Sequence, residues 1–159
     1  MSKTNRFKFR SAKVAEAKII SDLALRSKGH WPYDAEFLAN CKEELSYSAK
    51  QLQAADYCFK VAQLEEQKIA GFFALCDLNN QQVELEALFV EPEFIGQGLG
   101  QTLLKLAKDT AKKYQATSIR LQSDPYAENF YLANGAVKVA EKESESIPGR
   151  FLPLMEISL

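Results

Sequence analysis

The stretch Phe89-Val90-Glu91-Pro92-Glu93-Phe94-Ile95-Gly96-Gln97-Gly98-Leu99-Gly100-Gln101-Thr102-Leu103 decides how this chain of 159 residues is read. It runs from the end of an apolar strand candidate, Val83–Val90, through three closely spaced glycines into the start of a helical repeat. Such glycines let the backbone bend tightly and aim the first amides of the helix into one hollow, where unpaired N–H groups and the helix dipole favour an anion. Spacing excludes two other phosphate loops. A dinucleotide fingerprint needs a glycine at position 101, which is Gln101, and a βαβ start near the N-terminus. A Walker loop needs Gly-Lys-Ser/Thr, whereas Gly100 is followed by Gln101 and Thr102.

Beyond the turn, Leu99, Leu103, Leu106, Ala107 and Tyr114 repeat at helical spacing, with Lys105, Lys108 and Lys112 on another face. Upstream, Tyr57–Leu64, Ile69–Leu78 and Val83–Val90 read as strands. The short polar segments Glu65-Glu66-Gln67-Lys68 and Asn79-Asn80-Gln81-Gln82 join them into an antiparallel meander. The chain begins with a strand over Phe7–Arg10 and a helix over Lys13–Ser27, with Ile19, Ile20, Leu23 and Ala24 on one face and Gly29 at its end. Asp34 caps a second helix reaching about Leu45. Downstream come a strand at Thr117–Gln122, a short helix at Ala127–Asn134 stopped by Gly135, and strands at Val137–Lys142 and Leu152–Leu159. The order is β-αα-βββ-α-β-α-ββ, an α/β fold on a mixed (α+β) sheet. The helix after Val83–Val90 imposes a right-handed parallel crossover to Thr117–Gln122. With no repeat, low-complexity tract or linker, residues 1–159 are read as a single domain.

Composition narrows the function classes. The chain is 47% hydrophobic and 26% charged, with a net charge of −1 and a pI near 5.9. No overall positive field therefore recruits nucleic acid or an anionic membrane, and any anion must be held by a local device. No apolar run spans a membrane, and Met1-Ser2-Lys3-Thr4-Asn5-Arg6 lacks the apolar stretch of a secretory leader, so a cytoplasmic protein is expected. Cys41, Cys58 and Cys76 form neither a CxxC pair nor an even set, and the chain has one histidine. Neither a metal site nor a disulfide is expected, and the cysteines read as packing residues.

The pattern Val90-x-Pro92-x-Phe94-x-Gly96-x-Gly98-Leu99-Gly100-x-x-Leu103-Leu104 resembles the acetyl-CoA signature of the GNAT superfamily of N-acetyltransferases, and the element order agrees over nearly the whole chain. A second block, Asp124-Pro125-Tyr126-Ala127-Glu128-Asn129-Phe130-Tyr131-Leu132-Ala133-Asn134-Gly135-Ala136, is similar to the family pattern Asn-x-x-Ala-x-x-x-Tyr-x-x-x-Gly-Phe. Asp124 stands for the asparagine, Ala136 for the phenylalanine, and Ile95 where arginine or glutamine is usual. The resemblance implies a GNAT-like acyl-CoA N-acyltransferase fold. It implies an enzyme that moves the acetyl group of acetyl-CoA to a primary amine of a small molecule or peptide, with no metal. It further implies that Gly96, Gln97, Gly98, Leu99, Gly100 and Gln101 hold the pyrophosphate and that Leu88, Phe89 and Val90 pair with the pantetheine arm. Asp124 falls at the cofactor site, and Tyr131 is placed as proton donor to the coenzyme A thiolate. Lys105, Lys108 and Lys112 are read either as a solvated face or as approaching the nucleotide phosphate.

A lysine-like amine with a pKa of about 10.4 is only about one part in a few thousand neutral at pH 7, so the reaction calls for a base. Glu84 and Glu86, on the strand leading to the turn, are the candidates, with Glu86 nearer. Alternation puts both on one face with Leu88 and Val90 unless a bulge intervenes. Full transfer from a tyrosine of pKa about 10 to a thiolate of about 8.5 is uphill by about 2 kcal/mol, so Tyr131 is expected to act as much by hydrogen bonding as by donation. The acceptor is expected against Gly29-His30-Trp31-Pro32-Tyr33 and the Ser144–Arg150 loop. His30, Trp31, Tyr33, Tyr126 and Arg150 are the candidate contacts, Arg150 suiting a carboxylate or phosphate. The alternative is a non-catalytic acyl-CoA-binding or interaction module on the same fold; a tyrosine in register at position 131 favours the enzyme. The apolar strand Phe151–Ile157 is long enough to support a homodimer.

Overall fold

A computed structural model describes residues 6–65 and 68–159. Residues 1–5 of the N-terminal stretch read as lacking a secretory leader, and residues 66 and 67 of the first meander connection, lie outside the described residues. The elements are β1 (Lys8–Ser11), α1 (Ala17–Lys28), α2 (Ala35–Cys41), α3 (Ala49–Gln53), β2 (Cys58–Gln63), β3 (Ile69–Cys76), β4 (Gln82–Val90), α4 (Leu99–Lys113), β5 (Ser118–Gln122), α5 (Glu128–Ala133), β6 (Ala136–Glu143) and β7 (Phe151–Ser158). Seven strands form one mixed sheet in the order β1-β2-β3-β4-β5-β7-β6. Strands β1 to β4 are an antiparallel meander, and β4 pairs parallel with β5 across the α4 crossover.

Two helical layers cover the sheet. On one face Leu99, Leu103, Leu104, Ala107 and Ala111 of α4 pack with Phe73, Val83, Ile119 and Met155. On the other, Ile20, Leu23 and Ala24 of α1 pack with Val61, Phe72 and Ala74. Each such large side chain removed from water contributes about 1.5–3 kcal/mol, which is what holds α1 and α4 to opposite faces. Strand β3 is buried along its whole length between them.

The elements expected from the sequence are present within a few residues of their expected bounds, with four differences. A third short helix, α3, follows α2, because Ser48 and Gln51 form a reciprocal capping box: the Ser48 hydroxyl accepts from the Gln51 amide at 3.1 Å and Gln51 accepts from the Ser48 amide at 2.9 Å. Helix α2, capped by Asp34 through the Phe37 amide at 2.8 Å, ends at Cys41 and not near Leu45. Ile19 and Tyr114, read as core-facing, are exposed: the α1 stripe is Ile20, Leu23, Ala24 and Ser27, and Tyr114 follows the last turn of α4. Strand β7 lies inside the sheet between β5 and β6, so the edge at this end of the sheet is β6, where Val137 and Val139 are exposed.

Two features position the site. Strands β4 and β5 pair only from Gln82↔Ser118 to Glu84↔Arg120, after which they part and the sheet opens. Opposite β3, the register jumps from Leu75↔Leu85 to Ala74↔Ala87, which leaves Glu86 as the extra residue of a β-bulge.

Candidate active site

A cleft of about 750 Å³ runs through the opened sheet. It is lined by Leu88–Val90, Ile95, Gly96, Gly98, Gly100 and Gln101 from the strand end and the glycine turn, and by the side chains of Glu44, Tyr47, Glu84, Glu86, Asp124, Tyr126, Tyr131 and Arg150. The turn is held from outside. Arg26 of α1 grips Glu91 with two hydrogen bonds of 2.7 and 2.8 Å, the Glu91 amide donates to Ala70 at 2.8 Å, and Phe94 is buried edge-on against Phe7. Gly96 and Gly98 have φ of +84° and +87°, and a Cβ on either would meet nothing within 4 Å. The demand for glycine there is thus conformational, and the space beside the backbone stays open. The first helical bond of α4 is donated by Thr102 to Gly98 at 3.1 Å, so the amides of Leu99, Gly100 and Gln101 precede the hydrogen-bonded ladder. An open, amide-rimmed hollow continuous with the free side of β4 fits a pyrophosphate followed by an amide-bearing arm.

The expected cofactor residues divide here. Leu88, Phe89, Val90, Gly96, Gly98, Gly100 and Gln101 line the cleft. Leu99 is packed beneath the turn, and the Gln97 side chain is turned away, donating to the Glu93 carbonyl at 3.1 Å and accepting from Arg6 at 3.0 Å. Lys108 reaches the Asn134 carbonyl at 2.6 Å, which ties α4 to the end of α5, while Lys105 and Lys112 are exposed.

The bulge corrects the expected facing of the two glutamates. Val83 and Leu85 join the α4-side core, whereas Ala87 and Phe89 join the α1-side core and Leu88 and Val90 return to the α4 side. Glu84 and Glu86 therefore share the face of Ala87 and lie opposite Leu88 and Val90. The Cys76 thiol donates to Glu84 at 3.5 Å and lies 3.8 Å from the Glu86 carboxylate. Arg120 holds the other Glu84 oxygen at 3.2 Å. The Glu86 carboxyl is pushed up to about 7, first by loss of water around it, then by hydrogen bonding with Glu84 and by the charges of Glu84 and Glu44. A carboxylate poised near neutrality is what a general base requires. Among the described residues, Cys76, Glu84 and Glu86 form the one cluster of three potential metal donors, within 4.8 Å of one another. Burial and the neighbouring carboxylates push the Cys76 thiol well up, and a protonated thiol is a poor metal ligand.

Tyr131 of α5 is 8% exposed, and its hydroxyl has no hydrogen-bond partner among the described residues. Because no sealed polar side-chain atom there lacks a partner, that hydroxyl opens on the cleft it lines. Burial, then the charge of Asp124, raises its pKa, so the phenol stays neutral and able to donate.

The expected acceptor residues form one network plus an outlier. Tyr33 donates to Asp124, 2.9 Å from either carboxylate oxygen, and accepts from Arg150 at 2.6 Å. Lys28, missed from sequence, pairs with Asp124 at 2.8 Å, and Arg150 lies 3.7 Å from it. Asp124 also accepts from the Tyr126 amide at 2.9 Å and so caps the turn that enters α5. Burial opposes its charge, but Lys28 and these hydrogen bonds hold its carboxyl below the usual carboxylate range. The Arg150 guanidinium lies over the Phe37 ring, 4.7 Å from its centroid. Trp31 stacks on Tyr126 at 5.3 Å, and both line the cleft. Tyr33 stands behind that lining, and His30 is exposed, edge-on to Trp31 at 5.2 Å and away from the cleft.

With this geometry in place, comparison with known proteins is informative. A family model described as an acetyltransferase (GNAT) domain matches residues 21–157. No curated protein sequence matches the chain. Among solved structures, a GCN5-related N-acetyltransferase from Rhodopseudomonas palustris superposes with a TM-score of 0.79 at 19% identity, over 96% of each chain. PaiA N-acetyltransferase from Thermoplasma acidophilum, in complex with coenzyme A, gives 0.74 at 20%, over 96% of this chain and 99% of that one. Spermidine N-acetyltransferase from Vibrio cholerae, in complex with CoA and spermine, gives 0.71 at 21%, over 97% and 94%. At these identities the likeness is one of fold.

Proposed function

Because the chain belongs to the GNAT acetyltransferase family, we propose that it transfers the acetyl group of acetyl-CoA directly to a primary amine bound opposite the glycine turn, on a small molecule or a peptide. The observation that carries this reading is the cleft itself. It joins the amide-rimmed hollow of Gly96–Gln101 to a carboxylate poised near pH 7 and a buried phenol opening on the same space. The acetyl group of acetyl-CoA is held as a thioester, and an amine attacks its carbonyl carbon and displaces the coenzyme A thiolate only in the uncharged form, which alone has a free lone pair.

In this reading Glu86 accepts the ammonium proton, directly or through a water, and Glu84, occupied by Arg120 and Cys76, supports it. Tyr131 donates a hydrogen bond toward the leaving sulfur. Its raised pKa makes full transfer more uphill than the roughly 2 kcal/mol of unperturbed groups, so hydrogen bonding is its main contribution. Gly96, Gly98, Gly100 and Gln101 would hold the pyrophosphate, and the free side of Leu88–Val90 the pantetheine arm. Trp31, Tyr126 and Arg150 border the acceptor. No helix among the described residues is long and apolar enough to cross a membrane; we place the protein in the cytoplasm and read residues 1–159 as one domain.

The test is an acetyl-CoA turnover screen that reads free thiol against a panel of amines, with Tyr131→Phe as control. Amine-dependent thiol release that falls in the variant is expected. A rise in melting temperature with acetyl-CoA but no release with any amine would instead favour a binding module.

A further inference from the structure

We propose that the part of the cleft formed by Glu44 and Tyr47, beside Glu86, is a subsite for a second ammonium group, so that the acceptor is an aliphatic diamine or polyamine. This rests on the acetyl-transfer reading above and deepens it.

Charge balance along the cleft is uneven. Two of the cations in the lining are committed, since Lys28 and Arg150 both face Asp124 and Arg150 also donates to Tyr33, while Lys142, also in the lining, pairs with no carboxylate among the described residues. Three carboxylates, Glu84, Glu86 and Glu44, are gathered in the same lining. Glu84 is answered by Arg120 at 3.2 Å, but among the described residues no cation pairs with Glu86 or Glu44, the latter accepting only the Ser146 hydroxyl at 2.8 Å. Glu44 is near enough for its charge to raise the Glu86 pKa. Carboxylates brought together without counter-charge repel unless a cation enters between them.

A second and independent observation points the same way. Tyr47 is 7% exposed, its ring fixed edge-on between Phe59 and Phe72 at 5.8 and 5.7 Å, yet its hydroxyl has no hydrogen-bond partner among the described residues. As no sealed polar side-chain atom there lacks a partner, this hydroxyl opens on the cleft that Tyr47 lines. Opening on the cleft with no protein partner, the Tyr47 oxygen is free to accept from an ammonium donor arriving there. With Glu86 taking the proton of the reacting amine, Glu44 and the Tyr47 oxygen remain for the distal ammonium.

The experiment measures kcat and KM with a linear alkyl monoamine, the α,ω-diamine and the ω-amino acid of equal length, and a neutral tripeptide α-amine. The diamine should have a KM at least tenfold below the monoamine, with the amino acid and tripeptide worse than both. Glu44→Gln should raise the diamine KM about tenfold and Tyr47→Phe about threefold. Glu36→Gln, the same charge change outside the cleft, should keep the diamine preference. Turnover of amines without that preference, or a preference that survives Glu44→Gln, overturns the subsite and leaves acetyl transfer standing. Better use of the tripeptide or the amino acid also overturns it. No thiol release with any of the four overturns both.

Discussion

The two walls of the cleft are built on different principles. The glycine wall offers backbone: amides ahead of the α4 ladder, two residues at positive φ, and the free side of β4. The opposite wall offers side chains gathered from remote parts of the chain, with Tyr33 and Arg150 meeting across 117 positions. A backbone wall tolerates most side-chain changes and fails when its conformation is forced. A side-chain wall fails one functional group at a time. Substitutions that test this contrast should separate cleanly into acetyl-CoA effects and chemistry or acceptor effects.

The largest effect is expected at Glu86. Glu86→Gln should lower kcat/KM for the amine by about a hundredfold to a thousandfold, in the range of general-base groups. In the wild type, kcat/KM should rise with pH through about 7 as Glu86 ionises, and the variant should lose that limb. Stability gives an independent sign. With its pKa raised from 4.5 to about 7, the folded state binds more protons than the unfolded state in that window, so this group costs stability progressively as pH rises through it. Glu86→Gln should therefore melt no lower than the wild type at pH 8, with the difference between them shifting in the variant's favour from pH 4 to pH 8. A variant that melts lower at pH 8 would mean that Glu86 is held ionised and is not the base.

Next comes Tyr131→Phe, for which a fall of about a hundredfold in kcat is expected with the KM for acetyl-CoA within about twofold. An unchanged rate would remove Tyr131 from the chemistry. The backbone wall should respond to a different kind of change. Gly98→Val forces a β-branched residue to φ +87°, a strain on the order of 1–3 kcal/mol, and should weaken acetyl-CoA binding about tenfold or more, whereas Gln101→Ala should change it less than twofold. If Gln101→Ala proved the worse of the two, the grip on the cofactor would lie in side chains and the contrast would fail.

The same contrast explains what could be read in advance. The fold and the glycine wall are local in sequence: strand, turn and helix follow one another from Val83 to Lys113, and periodicity and glycine spacing report them directly. Two departures differ in how local they are. Ser48-Ala49-Lys50-Gln51 is a capping-box pattern that announces α3, and the bulge at Glu86 depends on register against β3, which no window on β4 alone contains. The opposite wall is non-local. Nothing in Ala17–Lys28 marks Lys28 as the partner of Asp124, because the pairing exists only once α1 and the turn before α5 are folded together. Glu44 and Tyr47 look like ordinary residues of a helix–helix link, and only the cleft gives them a role. His30 stood out by rarity, which is a property of composition and not of position; the fold leaves it at the surface.

Asp124 is the residue on which the two walls are hardest to separate, and the effect expected of its test is small. The resemblance to the family pattern puts it with the cofactor, where asparagine is usual. Its carboxylate, however, is turned toward Lys28, Tyr33 and Arg150, and its remaining bond caps the turn into α5. Asp124→Asn keeps the size and the capping oxygen but leaves Lys28 and Arg150, whose side chains are only 14% and 18% exposed, without a counter-charge. The acceptor KM should rise two- to fivefold with acetyl-CoA KM unchanged, and Lys28→Gln in the same chain should restore part of the loss. The pH dependence has the opposite sign to that of Glu86. Because the folded-state pKa of Asp124 is depressed below 3.8, its stabilising contribution is present above that value and is lost as pH falls through the folded pKa. The melting temperatures of wild type and Asp124→Asn should therefore differ most above about pH 4 and converge in acid. A change in acetyl-CoA KM with no change for the acceptor would move Asp124 to the glycine wall and make the charge network a support for the cofactor.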